Sequence, residues 1–166
     1  MKSKNEKLVS LQSRIINSLA SLVENRDEDT GNHILRTSAY VEIIARKAFE
    51  HGLWSETIDE HYIELIKSAA PMHDVGKIVV PNHILKRPEK LTAEEFEQLK
   101  LHTTEGKRII EEIIGMTENK NYIKIASEIA TSHHERWDGS GYPYQYAKEE
   151  IPLSARIMAI ETSLML

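Results

Sequence analysis

The chain contains no cysteine. Disulfides, thiolate metal sites and cysteine nucleophiles are therefore excluded. Glycine and proline are scarce, at seven and five of 166 residues, and aromatic residues make up only 6%. A collagen-like, low-complexity or disordered chain does not have that composition. Apolar runs end after a few residues, too short to span a bilayer. The opening Met-Lys-Ser-Lys-Asn-Glu-Lys has no apolar signal-peptide core behind it. Positive charge is in deficit: 21 Lys and Arg against 26 Asp and Glu leave a formal charge of -5. That balance disfavours a long nucleic-acid partner. Together these absences lead us to expect a cytoplasmic protein without membrane or nucleic-acid polymer as partner.

The composition that remains is 40% apolar and 28% charged, and its length fits one domain with an ordinary core. Eight histidines accompany the missing cysteine. Any metal site must then use imidazole and carboxylate, a ligand set suited to iron, manganese, nickel or catalytic zinc.

Apolar spacing predicts helices nearly throughout and no strand. Residues 6–25 carry Leu8, Leu11, Ile15, Leu19 and Leu22 at three- and four-residue steps, an amphipathic stripe. Leu8, Ile15 and Leu22 are also seven apart, so the stripe suits either packing onto the domain or a dimer seam. A second helix is expected to end at Gly52. Thr57-Ile58-Asp59-Glu60 and Thr92-Ala93-Glu94-Glu95 have capping-box form and open two more. Thr103-Thr104 is expected to loosen the helix that begins at the second box. Gly76 and Pro81 are expected to force a turn. Residues 121–134 predict a helix ending in His133-His134, and 135–150 read as a functional loop. Pro152 suits the first turn of a last helix.

His51, His61 and His83 lie in polar surroundings and read as solvated. His33, His73, His102, His133 and His134 lie at or near helix ends or loops. In His73-Asp74, the carboxylate can bridge two cations while the imidazole supplies one nitrogen. Lys77 returns a cation beside it, as a site for anionic oxygens requires. Two adjacent neutral imidazoles at 133 and 134 suit two different metals. The following Glu135-Arg136-Trp137-Asp138-Gly139-Ser140-Gly141-Tyr142-Pro143 can bring its backbone close to a ligand, with Trp137 or Tyr142 offering a stacking face.

These motifs, in this order, resemble the HD-GYP family of HD metal-dependent phosphohydrolases. The resemblance rests on Asp29-Thr-Gly-Asn-His33, His73-Asp-Val-Gly-Lys77, Lys90-Leu91-Thr92 leading to His102-Thr103-Thr104, and His133 through Pro143. Ile151-Pro152-Leu153-Ser154-Ala155-Arg156-Ile157 continues it. It implies an all-α HD-domain helical bundle over 26–166, behind an N-terminal linker or signalling helix at 1–25. It implies cleavage of cyclic di-GMP to pGpG or GMP by a hydroxide held between divalent ions, iron or manganese. His33, His73 and Asp74 would hold one ion, with Asp74 bridging to a second held by His102 and His133. His134 would extend the site. Asp29, where the family has Glu, would serve a third ion. Asp74 and Lys77 would be catalytic, Lys77 holding a phosphate oxygen. Arg136, Trp137, Asp138, Gly139, Gly141, Tyr142 and Pro143 would border the substrate. Relatives suggest an upstream receiver or sensor domain, or GGDEF proteins, as partners.

The resemblance weakens at the end. After Ala155-Arg-Ile-Met-Ala-Ile160 the family continues with Ala-Asp, whereas here stand Glu161-Thr162. Thr162 occupies the position of a metal-binding Asp, and Glu161 is expected to face solvent. The bundle should lack its closing helices, leaving Leu164, Met165 and Leu166 exposed or packed on a second chain. Two functions follow: a phosphodiesterase impaired at Thr162, or a cyclic di-GMP- and metal-binding regulatory module without turnover.

Overall fold

The computed structural model describes residues 15, 18–23, 26, 33–114 and 119–164. Asp29, Met165, Leu166 and the side chain of Leu164 fall outside them, with the expectations placed there. Helices are α1 (His33–Glu50), α2 (Glu60–Ala69), α3 (Asn82–Leu85), α4 (Ala93–Ile114), α5 (Lys120–Ser132) and α6 (Leu153–Leu164). Short 3-10 turns cover Ala70–Met72, Val75–Val79 and Lys148–Glu150. Among the described residues there is no strand, only an isolated bridge between Asp138 and Ala147. The fold is the expected all-α bundle. No described helix is long and apolar enough to cross a membrane.

Local chemistry sets the helix ends. At the end of α1, Leu53 N donates to Ala48 O and Gly52 N to Phe49 O, both at 2.9 Å, with Gly52 at φ 68°. That pairing is a Schellman motif, which needs a left-handed residue at the glycine. Thr92 and Glu95 form the expected reciprocal box, Glu95 N to Thr92 Oγ1 at 3.2 Å and Thr92 N to Glu95 Oε2 at 2.8 Å. The other expected box does not form. Asp59, not Thr57, caps α2, accepting from Tyr62 N at 2.7 Å. Nor does Thr103-Thr104 loosen α4, which runs unbroken. Their hydroxyls donate to Lys100 O and Leu101 O, and such bonding back onto the same helix lets Thr sit inside it.

The core is the inward face of α1, α2 and α5, closed by α6. It joins Val41, Ala45, Ile63, Ile66, Met72, Ile110, Ala126, Ile129, Ile157 and Met158. The N-terminal helix uses a different face from the one its spacing suggested. Ala20 and Val23 are buried, whereas Ile15 and Leu22 are 44% and 63% exposed. Small Ala20 permits close approach, so Ile15 and Leu22 of the stripe are left pointing outward, while Leu8 and Leu11 lie outside the described residues.

Candidate metal centre

Two backbones meet without a side chain between them, and only a methyl group separates the second from a third. A Cβ on Gly76 would lie 1.8 Å from His102 O and 2.5 Å from Gly106 N. A Cβ on Gly106 would lie 3.3 Å from Ala130 Cβ and 3.4 Å from Gly76 N. Gly76 is therefore required for contact with α4. The expected turn is there, as a 3-10 segment, but it does not call on the left-handed freedom of glycine, since the φ of Gly76 is not positive. The contact explains the site's assembly. Asp74 stands two residues before Gly76, His102 one helical turn before Gly106, and His133 three residues after Ala130.

The imidazoles are oriented by their own chain. His73 Nδ1 bonds to Ala70 O at 2.9 Å, His102 Nδ1 to Leu99 O at 2.6 Å, and His133 Nδ1 to Ile129 O at 2.9 Å. A ring whose Nδ1–H is donated to a carbonyl presents Nε2 as a lone pair. Those nitrogens converge on Asp74. Oδ1 lies 3.4 Å from His102 Nε2 and 3.7 Å from His133 Nε2. Oδ2 lies 3.2 Å from His73 Nε2 and 2.9 Å from Lys77 Nζ. The two oxygens thus face different histidines. Asp74, His102, His133 and His134 offer ligand atoms within 4.8 Å of one another. His33 opens α1 with its ring 6.0 Å from that of His73.

His102 Nε2, His133 Nε2 and Asp74 Oδ1 are buried and lack any hydrogen-bond partner. Buried polar atoms are normally satisfied. Lone pairs facing each other are satisfied by a cation between them. Adjacent ligands on bonds of about 2.1 Å lie roughly 3–3.5 Å apart, close to the spacing seen. The donor set of nitrogen and oxygen fits a divalent ion.

The local field favours ligation. Burial lowers the His102 pKa to about 4, against the pull of Asp74. Burial pushes His134 down further, helped by His133 and His102. Both stay neutral at pH 7. Burial also opposes charge on His73, but the Asp74 carboxylate outweighs it and raises the pKa. Burial likewise opposes ionisation of Asp74, yet His73 and Lys77 hold its carboxyl well below the usual range.

The loop after the histidines divides its residues. A Cβ on Gly141 would meet Arg136 N and Glu135 Cα at 2.4 Å, so only glycine lets the loop fold back this tightly. Tyr144 N donates to buried Glu135 Oε1 at 2.7 Å. Tyr142 consequently stacks on His134, with centroids 4.7 Å apart and planes at 23°, just before Pro143. Arg136, Trp137 and Asp138 face elsewhere, into a groove of about 630 Å³ shared with Trp54, Ile160 and Arg156, and lined by none of the four clustered residues. Asp138 Oδ1 is engaged by Ser140 N and Oγ, and Gly139 supplies φ 77° there.

On α6, Glu161 corrects expectation. It is 1% exposed, on the stripe of Ile157 and Met158, and its Oε1 has no partner. Spacings of three and four residues from those core positions turn it inward. Thr162 is half-buried, with its hydroxyl donated to Met158 O at 2.8 Å.

The profile of the HD domain family matches residues 10–164. The chain belongs to the HD domain family. A Vibrio cholerae protein named "Cyclic di-GMP phosphodiesterase" is 45% identical over 146 residues, covering 86% of this chain and 29% of its own length. Another from that organism, "Probable cyclic di-GMP phosphodiesterase", is 41% identical over 151 residues, covering 90% and 34%. A third, "3'3'-cGAMP-specific phosphodiesterase 2", is 39% identical over 146 residues, covering 88% and 26%. The chain therefore spans about a third or less of the length of these relatives.

Several residues of this HD domain escaped the sequence reading. Phe96 and Lys100 flank Tyr142, the rings 5.9 Å apart and Lys100 Nζ 5.6 Å from the tyrosine centroid. Their places six and two residues before His102 on the same helix were the available signal. Gly106, a glycine inside a helix, was another. Glu135 gave no signal beyond its charge.

Proposed function

We propose that the chain is a metal-dependent phosphodiesterase acting on a 3',3'-cyclic dinucleotide, with cyclic di-GMP as the first candidate and pGpG or GMP as product. The observation that carries this reading is the convergence of three buried, unpartnered ligand atoms, on Asp74, His102 and His133. His102, His133 and His134 would hold one ion with Asp74 Oδ1. His73, with His33 near it, would hold another through Asp74 Oδ2. Divalent ions bound there supply Lewis acidity and lower the pKa of water. Lys77 would hold a phosphate oxygen beside Asp74, and Tyr142, with Lys100 behind it, would border the nucleotide. The cyclic GMP-AMP specificity named for one relative supports testing that dinucleotide alongside. An acidic chain can take such an anion because bound cations reverse the local field.

A second reading is a binding module without turnover. It is favoured by Thr162, whose hydroxyl is engaged by Met158 O where the family pattern has a carboxylate. Elemental analysis of the purified chain, with chromatography of cyclic di-GMP incubated with added manganese or iron(II), separates the readings. We expect bound metal and linear product. Metal and nucleotide binding without product favours the second reading, and metal at background removes both. The outward Ile15 and Leu22 support a second copy of the chain as partner, which light scattering of Leu22→Asp against the unaltered chain tests.

A further inference from the structure

Arg26 lies just beyond the N-terminal helix and far in sequence from the site. Its guanidinium is spread over the end of the 3-10 turn that follows Asp74. Nη1 donates to Ile78 O at 2.8 Å and Lys77 O at 3.3 Å. Nη2 donates to Val80 O at 3.1 Å and Asn82 Oδ1 at 2.7 Å, and Nε reaches the same Asn82 oxygen at 3.2 Å. Ile78 O and Val80 O lie where a helix of this kind leaves its last acceptors unfilled, whereas Lys77 O also accepts from Val80 N at 3.0 Å.

Packing holds the turn at Gly76 and Val80 but not between them, because Ile78 and Val79 are exposed. The arginine fork is thus a long-range tie on the stretch whose first cation, Lys77, meets Asp74 Oδ2 at 2.9 Å. We propose that Arg26 is a positioning residue: by holding the carbonyl of Lys77 it sets that side chain against Asp74, and so couples the N-terminal helix to the site. A planar five-donor fork suits this arrangement, whereas a lysine ammonium cannot span it. The coupling is reciprocal in binding. Displacing the helix loosens the site, and filling the site tightens the helix.

The proposal rests on the metal reading above, and the test separates the two. Arg26→Lys and Arg26→Ala are compared with the unaltered chain by melting temperature, manganese affinity, and hydrogen exchange of residues 75–82. Arg26→Lys should keep the fold, bind manganese about tenfold more weakly, and exchange faster at 75–82. Kinetically, KM for cyclic di-GMP should rise more than kcat falls. Guanidinium ion added to Arg26→Ala should recover part of the affinity. A lower melting temperature with unchanged exchange at 75–82 and unchanged manganese affinity would mean that Arg26 merely anchors the helix, and overturns the proposal. If the unaltered chain binds no manganese, the metal reading fails, while the exchange measurement still decides the role of Arg26.

Discussion

Asp74 and Thr162 stand at two positions where the family pattern has a metal-binding carboxylate, and they differ in how their surroundings are built. Around Asp74, backbone meets backbone at Gly76 and Gly106, with the Ala130 methyl packed on the far side of Gly106. The imidazoles of His73, His102 and His133 are each aligned by a carbonyl, and unpartnered atoms face each other. On α6 the hydroxyl of Thr162 is consumed by its own helix. The neighbouring carboxylate, Glu161, is packed inward. The first is prepared for a ligand the chain does not itself contain; at the second the threonine hydroxyl is taken up by its helix and a single unpartnered oxygen, Glu161 Oε1, is left with no others facing it. Convergence of unpaired groups, more than the presence of polar ones, distinguishes a site from a core.

The comparison breaks most severely at Gly76. Gly76→Ala must drive α4 from the 3-10 turn, because the new Cβ would lie 1.8 Å from His102 O. We expect a loss of about 3 kcal/mol or more together with metal binding, measured by denaturant midpoint and manganese titration. Asp74→Asn should leave the fold intact, since the side chain keeps its volume. It should lower turnover at least about 100-fold, as ligand loss exceeds the effect of losing a supporting contact. Product chromatography and circular dichroism check the two halves.

The metal-free chain should also respond to acid. The folded His102 pKa, about 4, lies below the ordinary value near 6.5. Between these values the unfolded chain binds a proton that the folded chain does not. Stability is therefore full above pH 6.5, falls through the window and levels off below pH 4. His134, also lowered, acts in the same direction, and His73, raised, acts in the opposite one. Denaturation of the chelator-treated protein at pH 7 and pH 4.5 should show a drop smaller in His102→Asn by on the order of 2 kcal/mol. The smallest effects belong to α6. Thr162→Asp should strengthen manganese binding about tenfold. Thr162→Ala should shift stability by no more than about 1 kcal/mol. Unchanged affinity in Thr162→Asp would remove Thr162 from any account of the site.

The bundle and the histidine positions were legible because they depend on local signals: apolar spacing, capping residues and helix ends. The Thr92–Glu95 box is one such signal, complete within four residues. What escaped depends on distant partners. Gly76 looks like a turn residue until α4 is placed beside it. Arg26 looks like one more surface charge until the 3-10 turn comes within reach. Thr57 and Asp59 are both good caps, and the structure takes the later one. In the N-terminal helix the larger side chains suggested the buried face, while small Ala20 sets it. At 103–104, Thr propensity lost to hydroxyls that bond back onto the helix.

The carbonyl bonds to His73, His102 and His133 have a calorimetric consequence. Rings already aligned need little rearrangement to receive an ion, so loading should bury almost no new apolar surface and carry a small heat-capacity change. With His102 and His134 already neutral at pH 7, neither has a proton to give up. His73, whose pKa the Asp74 carboxylate raises, is the ring through which loading should become pH-dependent, weakening wherever that ring carries a proton.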